Sequence, residues 1–233
     1  MIVLGIDAST QTAGVAIVNN EMLMGEITIN TTITHSEKLM VIVDQLFSNL
    51  NLKLDDIDGI AVTIGPGSFT GVRIGMATAL GLAKAKNISL AGISTIEGLA
   101  YNNKNYRGII CPIQDARRNQ IYTGFFKFEG DNLVRLSPDM AISIAEFVEK
   151  ANTYEEDILL AGPDANKFIE EIKLKCDREV TVSPFNLSLP RASSIAYLSM
   201  TKEFGKNITP NYVRKSQAET SYEEIHGKSV YDE

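Results

Sequence analysis

The chain has 233 residues, a formal net charge of −7, 44% apolar and 22% charged residues, two cysteines, two histidines and no tryptophan. These are globular proportions, and they exclude collagen-like, disordered and disulfide-scaffold chains. With 29 acidic against 22 basic residues, a protein that grips nucleic acid alone through a basic face is also excluded, which leaves nucleic acid to a partner.

No apolar stretch reaches the ~20 residues that a membrane helix needs. The longest uncharged run, residues 59–72, is broken by Gly65-Pro66-Gly67. The N-terminus lacks a basic region and turns acidic at Asp7, so the expectation is a cytoplasmic chain without a signal peptide or membrane contact. Cys111 and Cys176 are then expected as reduced thiols, since two cysteines make no zinc spacing. Charge is uneven: residues 1–104 carry 15 charged side chains and the remaining 129 carry 36. The first part therefore has more apolar surface to hide than its own core requires.

In chain order, 2–6, 14–18 and 22–29 read as three strands joined by polar turns. Residues 35–50 follow as helix, 59–64 as buried strand, 68–86 as helix, 88–91 as strand and 95–101 as helix. After the polar run 102–105 the order starts again. Strands are expected at 109–113, 121–128 and 133–136, a helix at 144–151, a strand at 158–160, a helix at 166–175, a strand at 180–182 and a helix at 193–204. Two βββαβαβα units argue for a duplicated α/β architecture with a cleft between halves. The expected division is 1–104, 105–215 and a polar tail at 216–233. The duplicated order resembles the actin, sugar-kinase and Hsp70 superfamily of ribonuclease-H-like halves, and by that resemblance the last helix packs back on the first half.

Two helices of the first half have wide apolar surfaces. Leu39, Ile42, Val43, Leu46, Phe47 and Leu50 form an arc extended by Met40, broader than the ~100° stripe that one core requires. From Ile74 to Ala83 the next helix carries no charge on any face. Either it is sandwiched within its own domain or both helices lend a face to another subunit. The residues expected at such a face are Met40, Val43, Phe47, Met76, Leu80 and Ala83.

Gly65-Pro66-Gly67-Ser68 lies between strand and helix, where backbone N–H groups can hold an anion. Walker A, dinucleotide and serine-elbow patterns all fail on it. Ser68 reads equally as a helix cap, with Gly65 and Gly67 supplying turn dihedrals. Asp7 and Asp115, at matching points of the two halves, sit where a kinase-like fold places carboxylates for magnesium or water, and read otherwise as turn caps. His35 has Leu39 at i+4, so a helical two-histidine metal pair is absent.

Five strings together carry a family resemblance: His35-Ser36-Glu37-Lys38-Leu39, the run from Gly65-Pro66-Gly67 to Arg73-Ile74-Gly75, Ser94-Thr95-Ile96-Glu97-Gly98-Leu99-Ala100, Asp115-Ala116-Arg117-Arg118 and Pro210-Asn211-Tyr212-Val213-Arg214. In this order the chain resembles the TsaB (YeaZ) family over nearly its whole length. The resemblance implies the dimerisation subunit of the bacterial machinery that makes threonylcarbamoyladenosine beside the anticodon of tRNA. It implies a catalytic paralogue, TsaD, that holds metal and adenylate, an accessory ATPase, TsaE, and a scaffold with no catalytic residues, metal or cofactor of its own. tRNA would be reached only through the complex, TsaE through the heterodimer, and the same helix face would pair with itself when TsaD is absent. The alternative reading is an actin/kinase-fold ATPase using Asp7 and Asp115.

Overall fold

The computed structural model describes residues 1–20, 22–30 and 35–214, with side chains described from residue 38 onward in the first helix. The expected tail at 216–233 lies outside the described residues. The first half contains β1 (Ile2–Asp7), β2 (Thr12–Asn19), β3 (Met22–Asn30), α1 (His35–Leu50), β4 (Gly59–Gly65), α2 (Phe69–Lys86), β5 (Ser89–Ser94) and α3 (Thr95–Tyr101). Every element expected here is present. The strands form one sheet in the order β3-β2-β1-β4-β5, antiparallel from β3 to β1 and parallel from β1 to β5.

The second half repeats this with β6 (Ile109–Pro112), β9 (Phe126–Glu129), β10 (Asn132–Arg135), β12 (Ile158–Ala161) and β13 (Val180–Val182), in the order β10-β9-β6-β12-β13. Its helices are α4 (Ile144–Ala151), α5 (Ala165–Lys173) and α6 (Ala192–Ser199). A small sheet in the order β11-β8-β7 is added, from β7 (Gln114–Arg117), β8 (Gln120–Thr123) and β11 (Met140–Ser143).

Two expectations for this half need correction. Residues 121–128 are not one strand. They break at Gly124-Phe125 because Phe125 turns into the core to stack on Phe147 and Tyr154, at 5.5 and 5.2 Å, while its N–H donates to Ser137 Oγ at 2.9 Å. The last helix stops at Ser199 instead of reaching 204. Phe204 then lies against the bare Cα of Gly59, where a Cβ would stand 2.5 Å from the ring.

Strand alternation sets the layers. Leu4, Ile6, Val15, Ile17, Ile60 and Val62 pack with Leu39, Ile42, Val43 and Leu46 of α1 and Val72, Met76, Ala79 and Ala83 of α2. The opposite face, with Val3, Val18, Ala61 and Ile93, packs against Ile195, Ala196 and Leu198 of α6. In the second half, β6 and β12 turn Ile109, Cys111, Ile158 and Leu160 towards α4 and α5, and Ile110, Leu159 and Ala161 towards Ile96 and Ala100 of α3. Each half thus covers the other's sheet with its final helix. Both helices are buried nearly all round: α6 carries no charge, and the one charged side chain of α3, Glu97, is ion-paired. Gly5 permits the approach of α6, since a Cβ there would overlap the Ala192 carbonyl. Part of the first half's surplus apolar surface is therefore covered within the chain itself.

Candidate functional site

Four of the five strings that carried the resemblance, those at 65–75, 94–100, 115–118 and 210–214, are tied together by hydrogen bonds and ring contacts. β4 ends in a cis Gly65–Pro66 bond. Ser68 then caps α2, its Oγ accepting from Gly71 N–H at 3.2 Å, while its own N–H donates to the Ser9 carbonyl at 2.7 Å. Gly67 lies so close to that carbonyl that a Cβ would overlap it. Asp7 Oδ1 accepts from Ser9 N–H and Ser9 Oγ, both at 2.9 Å. The cap expected of Ser68 is thus formed.

Asp115 is also locally engaged. Its Oδ1 accepts from Arg117 N–H at 2.7 Å, its Oδ2 pairs with Lys167 Nζ at 2.5 Å, and its N–H donates to Asp164 Oδ2 at 2.8 Å. The hydrogen bond from Lys167 holds the Asp115 carboxyl below the usual carboxylate range, and the same bond raises the lysine above its own. Among the described residues, no three of His, Cys, Asp and Glu gather as a metal-binding group.

A half-buried ionic latch, not foreseen from spacing, joins the halves. Arg135 bridges Asp139 Oδ1 at 2.6 Å and Glu97 Oε2 at 3.1 Å, and Lys202 Nζ reaches Glu97 Oε1 at 2.9 Å. Asp139 Oδ2 also accepts from Ser94 Oγ at 2.7 Å and Asn211 Nδ2 at 2.8 Å. Two acids face two cations, so the cluster neutralises itself and holds the halves together. Residues 205–214 complete the region as a strap. Leu90 and Gly205 bridge, Asn211 N–H donates to the Ile64 carbonyl at 2.7 Å, Tyr212 stacks on Phe69 at 5.0 Å, and Arg214 donates to the Ala116 carbonyl at 2.5 Å.

The six residues expected at a partner face divide. Val43, Met76 and Ala83 are buried in the chain's own core and Phe47 packs against its edge, because one sheet face is wide enough to take both helices. Met40 and Leu80 stay exposed, at 47% and 38%, and Val41 beside Met40 is exposed at 58%. His35 starts α1, and its side chain lies outside those described. A groove of 240 Å³ runs between Leu23, Tyr101, Arg191 and Tyr197. Its polar lining is spent internally, Asn102 on Leu187, Leu189 and Ser194, and Arg191 and Ser193 on Glu26.

Two ribonuclease-H-like sheets that exchange their last helices define the actin/sugar-kinase/Hsp70-type fold. Component A of (R)-2-hydroxyglutaryl-CoA dehydratase from Acidaminococcus fermentans shares that fold, with a TM-score of 0.50 and 12% identity over 87% of this chain and 100% of its own. YeaZ from Pseudomonas aeruginosa superposes better, with a TM-score of 0.77 and 22% identity over 91% of this chain and 99% of its own. Residues 24–222 match the family model described as TsaD: tRNA N6-adenosine threonylcarbamoyltransferase. A Bacillus subtilis (strain 168) protein named tRNA threonylcarbamoyladenosine biosynthesis protein TsaB is 31% identical over 224 residues, 95% of this chain and 98% of its own. The chain belongs to the TsaB (YeaZ) family.

Proposed function

We propose that this chain takes part in the synthesis of threonylcarbamoyladenosine in tRNA as a non-catalytic scaffold that binds a TsaD-type catalytic subunit. The observation that carries the reading is the uncovered apolar surface on the outer helix layer: Met40 and Val41 on α1 and Leu80 on α2 stay exposed although the sheet has taken Val43, Met76 and Ala83 beneath them. Exposed apolar side chains on neighbouring helices are the usual core of a helix-mediated interface. A partner of the same fold, with equivalent helices, suits such a face, and the match to a TsaD model supports that choice. The same face could close on itself as a two-fold homodimer when the catalytic subunit is absent. TsaE would then act on the pair, and tRNA would be modified at the catalytic subunit. The local engagement of Asp7 by Ser9 and of Asp115 by Lys167 favours a scaffold over an ATPase that uses these carboxylates.

The test is co-purification with the catalytic subunit of the same cell, followed by assay of the modified nucleoside with each subunit omitted in turn. A complex whose activity disappears without this chain is expected. Modification that proceeds without it overturns the reading.

A further inference from the structure

The strap, α2 and the β7–β8 hairpin bring an arginine cluster and two exposed rings to one place on an otherwise acidic chain. The guanidinium of Arg73 lies 3.7 Å from the centroid of the Phe69 ring, and its Nε donates to Tyr212 Oη at 2.9 Å. Phe69 and Tyr212 are exposed at 37% and 44% and stack on each other. Two residues on, Arg214 is fastened to the Ala116 carbonyl, which ties the strap to the β7–β8 hairpin directly before its tip, Arg117-Arg118-Asn119. All three tip residues have left-handed φ, at 61°, 51° and 59°, a conformation that arginine rarely adopts. Both arginines there are exposed. Among the described residues, none of Arg73, Arg117, Arg118 or Arg214 forms an ion pair with a carboxylate, unlike Arg135 and Arg191. Asp115, which also feels the charge of Arg117, is paired with Lys167, and Asp164 accepts from the Asp115 N–H.

We infer that this patch contacts tRNA directly, with Arg117 and Arg118 on backbone phosphates and the Phe69–Tyr212 stack offered to an unpaired base. The inference rests on the tRNA-modification reading above and adds a contact to it, since that reading brings tRNA to the catalytic subunit alone. Arginine forks match phosphate oxygens in pairs, and exposed rings next to them are how proteins take unstacked RNA bases. The net charge of −7 makes the surroundings repel RNA. Binding is therefore confined to this patch and depends on the catalytic subunit for the rest of its strength.

The test measures binding of labelled tRNA to the purified complex of the full chain with its catalytic subunit across a salt series. The Arg117→Gln/Arg118→Gln variant should bind about tenfold more weakly at low salt, with a salt slope reduced by about one to two units, one lost phosphate contact per arginine. Arg117→Lys/Arg118→Lys should keep most of the slope. Tyr212→Leu should weaken binding without changing the slope, because stacking releases no counterions. Assembly and melting temperature, read on the same samples, should match wild type for the arginine variants. If the wild-type complex modifies tRNA but the double glutamine variant keeps wild-type affinity and slope, the patch is overturned and the scaffold reading stands. If modification does not need this chain at all, both fall.

Discussion

Glu26, in the third strand of the first half, holds the turn that starts the last helix of the second. Its Oε2 accepts from Arg191 Nε at 3.1 Å and Arg191 Nη2 at 2.5 Å, and its Oε1 from Ser193 N–H at 3.0 Å and Ser193 Oγ at 2.9 Å. The Glu26 side chain is 9% exposed, so its loss leaves Arg191 and the first turn of α6 without an acceptor. Hydrogen bonds to a charged group contribute about 1.5–3 kcal/mol. Glu26→Ala should lower unfolding stability by about 2 kcal/mol, with a melting temperature lower by several degrees. An unchanged urea midpoint would show that α6 is held by apolar contact alone.

A second expectation concerns the approach of α6 to the sheet. Gly5→Ala places a methyl group into the Ala192 carbonyl, and backbone cannot yield as a flexible side chain does. Overpacking of this kind costs about 1–3 kcal/mol or more. The variant should expose the face lined by Val3 and Ala61 and bind a hydrophobic dye before global unfolding. Gly81→Ala is the control, since a Cβ there meets nothing within 4 Å.

The outer helices separate folding from association. Val43 is 3% exposed, so Val43→Glu buries an uncompensated charge and should unfold the chain at a cost of several kcal/mol. Leu80→Glu and Met40→Glu put their charge at exposed positions, where effects on stability stay within about 0.5 kcal/mol. They should leave circular dichroism and melting unchanged while weakening association with the catalytic subunit by about a hundredfold or more. Wild-type affinity in both variants would place the interface elsewhere.

Acid should act partly through Asp115. Its carboxyl is held below its ordinary range by Lys167, so the stability this contributes is fully present above that range and is lost as pH falls through the lowered value. Asp115→Asn should melt below wild type at neutral pH, and the gap should close towards pH 3. A gap that persists at pH 3 would show that the loss comes from packing. Nucleoside formation by the assembled complex should survive this substitution and Asp7→Ala, since both carboxylates are engaged in local turns.

Much of the first half was legible because its elements are long and their periods clean: three strands with turns between, then α1 and α2 at 16 and 18 residues. The second half was harder, since β7, β8, β9 and β11 are four residues each, too short for alternation to show where one sheet ends and the next begins. The partner face was legible only as two apolar helices. An apolar surface wider than one core needs carries no mark of which residues meet the chain's own sheet, so Val43 and Met76 read the same as Leu80 until the sheet takes the first two. The strings that carried the family resemblance did not announce their meeting point either. Phe69, Tyr212, Arg214 and Ala116 are brought together by hydrogen bonds and ring contacts between segments that lie far apart in the chain. What the sequence by itself determined is the order of elements in the first half, the duplication and the family, because these follow from local periodicity and from contiguous strings. Which apolar residues remain outside, how the final helices are exchanged and where the arginines gather were decided only by tertiary structure, because burial is a property of what a side chain packs against and not of the residue alone.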